Sequence, residues 1–153
     1  MYIRKATLQD VSRLVLSGDD LREFEAYNPY RDLNETLMGH LTDSSVVLVD
    51  GANVLAYGGN LGDCVWFLTD QRVNFLSYTK KMEMLERIKA YRDLMLDQYG
   101  TIWNYVWVGN KSHIKFLKRL GAKFHDDKRS VSGKTEESFM LFTISKEDVC
   151  ASQ

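Results

Sequence analysis

Cys64-Val65-Trp66-Phe67-Leu68-Thr69, the segment from Met82 to Tyr99, and Ile102-Trp103-Asn104-Tyr105-Val106-Trp107-Val108 are the stretches whose reading decides the fold. In the long middle segment, Met84, Leu85, Ile88, Tyr91, Met95 and Tyr99 fall at helical spacing and form one apolar stripe. Gly100 follows where a helix stop belongs. The flanking segments are β-branched and aromatic, which predicts strands. A strand, a long helix and a second strand predict a β-α-β crossover whose two strands run parallel.

Upstream, Tyr2 to Lys5 reads as a short strand. Thr7 with Asp10 is a weakened capping box, followed by Val11, Leu14 and Val15 at helical spacing. Gly18-Asp19-Asp20 is expected to end or kink that helix, with Leu21 to Tyr27 adding a turn or two. Asn28-Pro29 breaks the chain, and Asp32 with Glu35 opens a short helix through Leu37, Met38 and Leu41. Ser45 to Asp50 and Val54 to Gly59 predict a hairpin about Gly51-Ala52-Asn53. With Cys64 to Thr69 they make an antiparallel meander. Gly58-Gly59 thins its second strand and marks either a bulge or a close approach.

Downstream, Asn110-Lys111-Ser112 opens a helix with Ile114, Phe116, Leu117 and Leu120 apolar, and Gly121 stops it. Ala122 to His125 predicts a strand, Lys128 to Thr135 a polar loop, and Glu137 to Ile144 the last strand. The expectation is a single domain over 1–145 and a polar C-terminal tail over 146–153 that frays.

The chain has 153 residues, the size of one domain, with 44% hydrophobic and 27% charged residues, which suits an ordinary globular protein. Twenty basic and 21 acidic residues leave a net charge of -1, with no basic patch in the sequence, so no nucleic-acid partner is expected. Cys64 and Cys150 are the two cysteines, and no disulfide between them is expected. No CxxC or similar spacing exists, so no metal site is expected. No signal-type apolar region follows Met1, and no run approaches the roughly 20 apolar residues of a membrane span. A soluble, intracellular protein is expected.

The order strand, two helices, three antiparallel strands, long helix, strand, helix, two strands resembles the GNAT (Gcn5-related) N-acetyltransferase superfamily over residues 2 to 144. The resemblance implies an α/β acyl-CoA N-acyltransferase fold, with a mostly antiparallel central sheet and one parallel β-α-β crossover. Asn110 with Gly121 eleven residues on matches the family spacing. Tyr57-Gly58-Gly59-Asn60, Gly62-Asp63, Trp66-Phe67, the run Trp103 to Asn110, and Ser112-His113-Ile114 carry a second likeness. They are similar to the small internal virion protein A family of short-tailed phages, itself described as GNAT-like. That resemblance implies a phage-encoded protein acting in the host bacterial cytoplasm during infection or virion assembly, with the virion as a second location. A virion or host protein is the expected partner.

The GNAT resemblance implies acetyl-CoA as cofactor, its pyrophosphate held by backbone N–H groups at the start of the long helix, where the helix dipole favours anions. The family loop runs Gln or Arg, two residues, Gly, one residue, Gly or Ala. The matching stretch is Arg72-Val73-Asn74-Phe75-Leu76-Ser77, in which Phe75 and Ser77 replace both glycines. Phe75 is expected to crowd the pyrophosphate path, which makes CoA binding doubtful. The candidate cofactor-binding residues are Arg72, Ser77, Tyr78, Thr79, Lys80, Lys81 and the helix-opening Asn110. For Lys80 and Lys81 the plainer reading is a solvated helix start.

Many GNAT enzymes carry a Tyr seven residues after that Asn, as general acid for the departing thiolate. Here the position is Leu117, which has no proton to give. Asp63, Asp70 and His113 are the candidate catalytic residues. The plainer reading is a turn or strand-end role for each aspartate and a packed histidine for His113. Cys64 reads as a core thiol, since no His or Arg stands beside it. Trp103, Tyr105 and Trp107 alternate and share one strand face. That face is read first as helix-packed core and second as the aromatic wall of a splayed groove, where GNAT folds admit the pantetheine arm. The reading preferred from sequence is a phage GNAT-fold protein that works mainly by protein binding, with weak or lost acyl-CoA chemistry. The alternative is an active acetyl-CoA-dependent N-acetyltransferase that modifies a host protein or small amine.

Overall fold

β-Branched and aromatic segments build the sheet in chain order, except that β7 lies between β5 and β6. In the computed structural model, which describes residues 1–151, Tyr2–Lys5 (β1), Val46–Asp50 (β2), Asn53–Leu61 (β3) and Cys64–Thr69 (β4) form an antiparallel run. Thr101–Trp107 (β5), Lys123–Val131 (β6) and Ser138–Ser145 (β7) complete a seven-stranded sheet of order β1-β2-β3-β4-β5-β7-β6. Among the described residues, β4 and β5 are the one parallel pair, as the crossover requires.

The helices are Leu8–Arg13 (α1), Gly18–Tyr27 (α2), Leu33–Gly39 (α3), Tyr78–Tyr99 (α4), Lys111–Arg119 (α5) and Lys146–Ala151 (α6). The period of two in the strands sorts them onto two faces. Val47, Val49 and Tyr57 pack with Val11 of α1 and Leu37 of α3. Their neighbours Leu48 and Ala56 pack with Met84 of α4 on the other side. Farther along that second face, Leu85 and Leu96 of α4, Leu117 of α5 and Val149 of α6 cover Ile102, Val106, Phe142 and Ile144.

Local chemistry fixes most element ends. Thr7 and Asp10 form both bonds of a capping box. Asp32 caps α3 through the Glu35 N–H, and Ser77 caps α4 through the Lys80 N–H. Gly100 and Gly121 take positive φ, 77° and 90°, at the ends of α4 and α5.

Three expectations need correction. The Gly18-Asp19-Asp20 stretch opens a ten-residue helix rather than ending one: α1 stops at Arg13, and Asp19 and Asp20 occupy the first turn of α2, where the dipole favours carboxylates. The polar segment from Lys128 is not wholly a loop, because β6 runs on to Val131 past a register shift between His125 and Arg129. As an edge strand it carries charges without burying them. The segment from Lys146 does not simply fray: α6 buries Val149, and Lys146 meets Asp97 at 2.9 Å. The end of that tail, residues 152–153, lies outside the described residues. Of the two readings of Gly58-Gly59, the close approach is the one met, and the register shift of this hairpin falls at Leu48/Val49.

A Cβ at Gly58 would stand 2.8 Å from the Trp66 carbonyl oxygen and 3.0 Å from Phe67 Cβ. Gly58→Ala should therefore destabilise the fold by about 1–3 kcal/mol, the usual cost of overpacking. Gly133→Ala, where nothing lies within 4 Å, is the matched control. Equal thermal melting of the two variants would refute this account of the glycine.

Candidate functional site

Strands β4 and β5 pair only at Cys64 and Trp103, and then part. Asp63 sits at the base of this V. Its carbonyl accepts the Trp103 N–H at 3.1 Å and its carboxylate accepts the Trp103 indole N–H at 3.0 Å. Beyond that point the backbone groups facing the gap have no strand partner and must be satisfied some other way.

Three side chains do this. The Asn104 amide lies in the gap as a strand peptide would: its Nδ2 donates to the Val65 carbonyl at 2.7 Å, and its Oδ1 accepts the Tyr105 N–H at 2.7 Å. Glu23 of α2 accepts the Trp107 N–H at 2.8 Å. Asp20, one helical turn before Glu23 and on the same face, accepts both the Thr69 N–H and the Thr69 hydroxyl at 2.7 Å, at the end of β4. Its other oxygen accepts from Asn110 Nδ2 at 3.0 Å, just past β5. Asn110 also donates to Glu23 at 3.4 Å, while its Oδ1 caps α5 through the His113 N–H. Asp19 accepts from the Ser112 hydroxyl at 2.5 Å. The carboxylate face of α2 thus stitches the open end of the V.

A cavity of about 430 Å³ occupies the splay, lined among others by Phe67, Tyr91, Glu23, Asn104, Tyr105 and His113. Burial pushes the Glu23 carboxyl up to about 7 against the hydrogen bonds that oppose it, and the neighbouring Asp20 charge adds to the shift. The His113 ring packs edge-on against Phe67 at 4.6 Å. Its Nδ1 lies 3.8 Å from Asp20, and its Nε2 is buried with no hydrogen-bond partner. Burial lowers the His113 pKa and keeps the ring neutral, with Asp20 acting in the opposite direction.

Of the candidate catalytic residues, only His113 lines this cavity. Asp63 holds the strand base. Asp70 is fully buried and accepts the Val15 and Arg72 N–H groups at 3.0 and 2.9 Å, which ties the end of β4 to the α1–α2 connection. Among the candidate cofactor residues, Arg72 pairs with Asp70 at 3.3 Å and Lys80 with Asp50 at 2.9 Å. Ser77, Tyr78, Thr79 and Lys81 are exposed around the start of α4. Asn110 stands apart from them, buried at the start of α5.

Phe75 needs correction too: its ring is 86% exposed and fills no cradle. What replaces the glycine loop is a backbone turn. Gln71–Phe75 coils into a 3-10 helix, with the Val73 N–H on the Asp70 carbonyl and the Leu76 N–H on the Val73 carbonyl. The aromatic triple fits neither sequence reading fully. Tyr105 reaches the cavity wall, but none of the three rings belongs to the apolar core clusters, and the Trp107 indole bonds Glu137 at 3.0 Å.

Glu23, Asp20 and Asn104 escaped the sequence reading. The Asp-x-x-Glu spacing on an amphipathic helix and a lone Asn inside an aromatic strand were the available signals.

The Glu23 geometry makes stability depend on pH. A carboxyl whose folded pKa is raised binds its proton more tightly when folded, so its contribution is intact below the usual 4.5 and is lost as pH rises through about 7. The loss is roughly 3 kcal/mol. Glu23→Gln keeps an acceptor for Trp107 and removes the charge. The variant should gain on the parent as pH rises from 5 to 8 in urea denaturation. Parallel pH profiles would contradict a buried, protonatable Glu23.

The sequence profile of one family, described as bacteriophage T7, probable scaffold protein Gp13, matches residues 44–128. The probable scaffold protein gp13 of Escherichia phage T7 is 50% identical over 92 residues, covering 60% of this chain and 63% of that protein. Among solved structures, a variant of the Vibrio cholerae spermidine N-acetyltransferase SpeG superposes with a TM-score of 0.64 over the whole of both chains at 12% identity. A Bacillus anthracis GNAT acetyltransferase gives 0.63 over 95% of this chain and 94% of its own, at 13% identity. The Brucella melitensis ribosomal-protein-alanine N-acetyltransferase gives 0.62 over 95% and 99%, at 12% identity. Likeness at these identities is likeness of fold. The phage kinship and the GNAT fold implied by the sequence are both met. With more than half of its length matched, the chain belongs to the bacteriophage T7 Gp13 probable scaffold protein family, built on a GNAT acetyltransferase fold.

Proposed function

We propose that this phage protein acts in virion assembly or infection by binding a virion or host protein, and that its acyl-CoA chemistry is weak or lost. The host cytoplasm is its place of action, with the virion as a second location. The observation that carries the reading is the Asn104 side chain, which bridges β4 and β5 across the gap as an internal peptide mimic. Acetyl-CoA would supply an acetyl donor to a GNAT enzyme, but the residues present here do not fit it well. Asn104 bridges the gap to the Val65 carbonyl, and Glu23 takes the Trp107 N–H. The loop before α4 is coiled on its own hydrogen bonds. Lys80 is committed to Asp50. The scaffold name of the phage T7 relative points the same way.

A second reading, an active N-acetyltransferase acting on a host protein or small amine, is favoured by one observation. Glu23 faces the cavity with a pKa of about 7, a value suited to a general base near neutral pH.

Calorimetric titration with acetyl-CoA separates the two. Under the binding reading, the unmodified protein shows weak or no heat. Phe75→Gly changes nothing, because the ring already lies outside. Asn104→Gly combined with Glu23→Ala removes both side chains from the gap and should raise affinity by about one to two powers of ten, the worth of one or two hydrogen bonds. Micromolar binding by the unmodified protein, with acetyl transfer abolished by Glu23→Gln, would replace the first reading with the second.

A further inference from the structure

We propose that the groove between α5 and the β6–β7 edge is a docking site for a second copy of this chain, which enters it with its acidic α2–α3 corner. The groove holds about 380 Å³. Lys111, Lys115 and Lys118 line it from α5 at helical spacing, so they form one stripe roughly 10 Å long. Arg129 faces them from β6, and Val108, Ile114 and Met140 supply apolar lining. Arg129 is paired with Asp126 at 3.2 Å. Among the described residues, no carboxylate lies within ion-pair distance of the three lysines. A partly exposed apolar floor beside unpaired lysines is a surface that an acidic, amphipathic element would complete.

The chain carries such an element. Residues 6–50 contain nine acidic and three basic residues, whereas residues 111–129 contain seven basic and two acidic ones. The two segments meet where Asp19 and Asp20 of α2 bond Ser112 and Asn110 at the start of α5, while α1 and α3 lie over β2 and β3 and α5 packs over β5 and β7. At the α2–α3 connection, Glu25, Asp32 and Glu35 are exposed around Tyr30, itself 82% exposed. Arg31 there is turned inward, stacked on Phe24 at 4.0 Å, which leaves the acids dominant at the surface. Tyr30 supplies the apolar insert and the three carboxylates meet the three lysines. A phosphate backbone is the less fitting occupant, because Asp126 stands on the rim and the floor is apolar. The two surfaces are different patches on one molecule, so a single contact leaves one groove and one corner free for further association.

The test is sedimentation velocity of the full chain over a concentration series at low and high salt. The weight-average mass should rise with concentration at low salt and fall back when the Debye length drops well below about 10 Å. Lys115→Glu with Lys118→Glu, and separately Tyr30→Ser, should each weaken association by about tenfold or more, with unchanged circular dichroism and melting. Mixing these two variants should restore a one-to-one complex, because each retains the surface the other lacks. A monomer under all conditions overturns the proposal, as does association that both variants leave intact. So does a monomer that instead takes up an oligonucleotide, or a mixture of the two variants that stays monomeric.

Discussion

Asp20 joins the two halves of the sheet. Four strands lie on one side of the seam and three on the other, and the ladder that would bind them contains a single residue pair. Past that pair, a carboxylate that is 4% exposed reaches from α2 to the end of β4 with one oxygen and to Asn110 beyond β5 with the other. Removing one member of such a buried, fully bonded set costs on the order of 3–5 kcal/mol, because the remaining donors stay desolvated. That is a large share of the 5–15 kcal/mol by which domains are stable. The position of α2, the capping of α5 and the width of the cleft all follow from this one side chain.

The same device sets the electrostatics of the cleft. Asp20 and Glu23 stand one turn apart on a helix whose first turn welcomes negative charge, and Glu23 lies farther along, past that turn. Burial, with the Asp20 charge beside it, raises the proton affinity of Glu23. His113 stays neutral beside them, held by its packing against Phe67. A cleft shaped this way is internally satisfied over most of its polar surface.

How far the sequence discloses this depends on whether the deciding signal is local. The α4 stripe, the Asp32 and Ser77 caps and the glycines at 100 and 121 are written in neighbouring residues, and they appear where their chemistry requires. Asn110 was legible as a cap but not as a ligand of Asp20, because that partner lies 90 positions away. Asn104 was hidden for a related reason: an amide inside an aromatic strand looks like a surface residue until the neighbouring strand is seen to leave. Phe75 misled in the opposite direction, since a family pattern assigned its ring a place that the local 3-10 turn does not give it.

The seam has a mechanical consequence. β1 to β4 come from the first 69 residues and β5 to β7 from residue 101 onward, with α4 the chain's crossing between them. Force applied across the sheet therefore meets side-chain bonds at this line and continuous backbone ladders elsewhere. The molecule should yield there first, parting into two halves hinged on a single long helix. Each half would keep its own antiparallel ladders while the other moved.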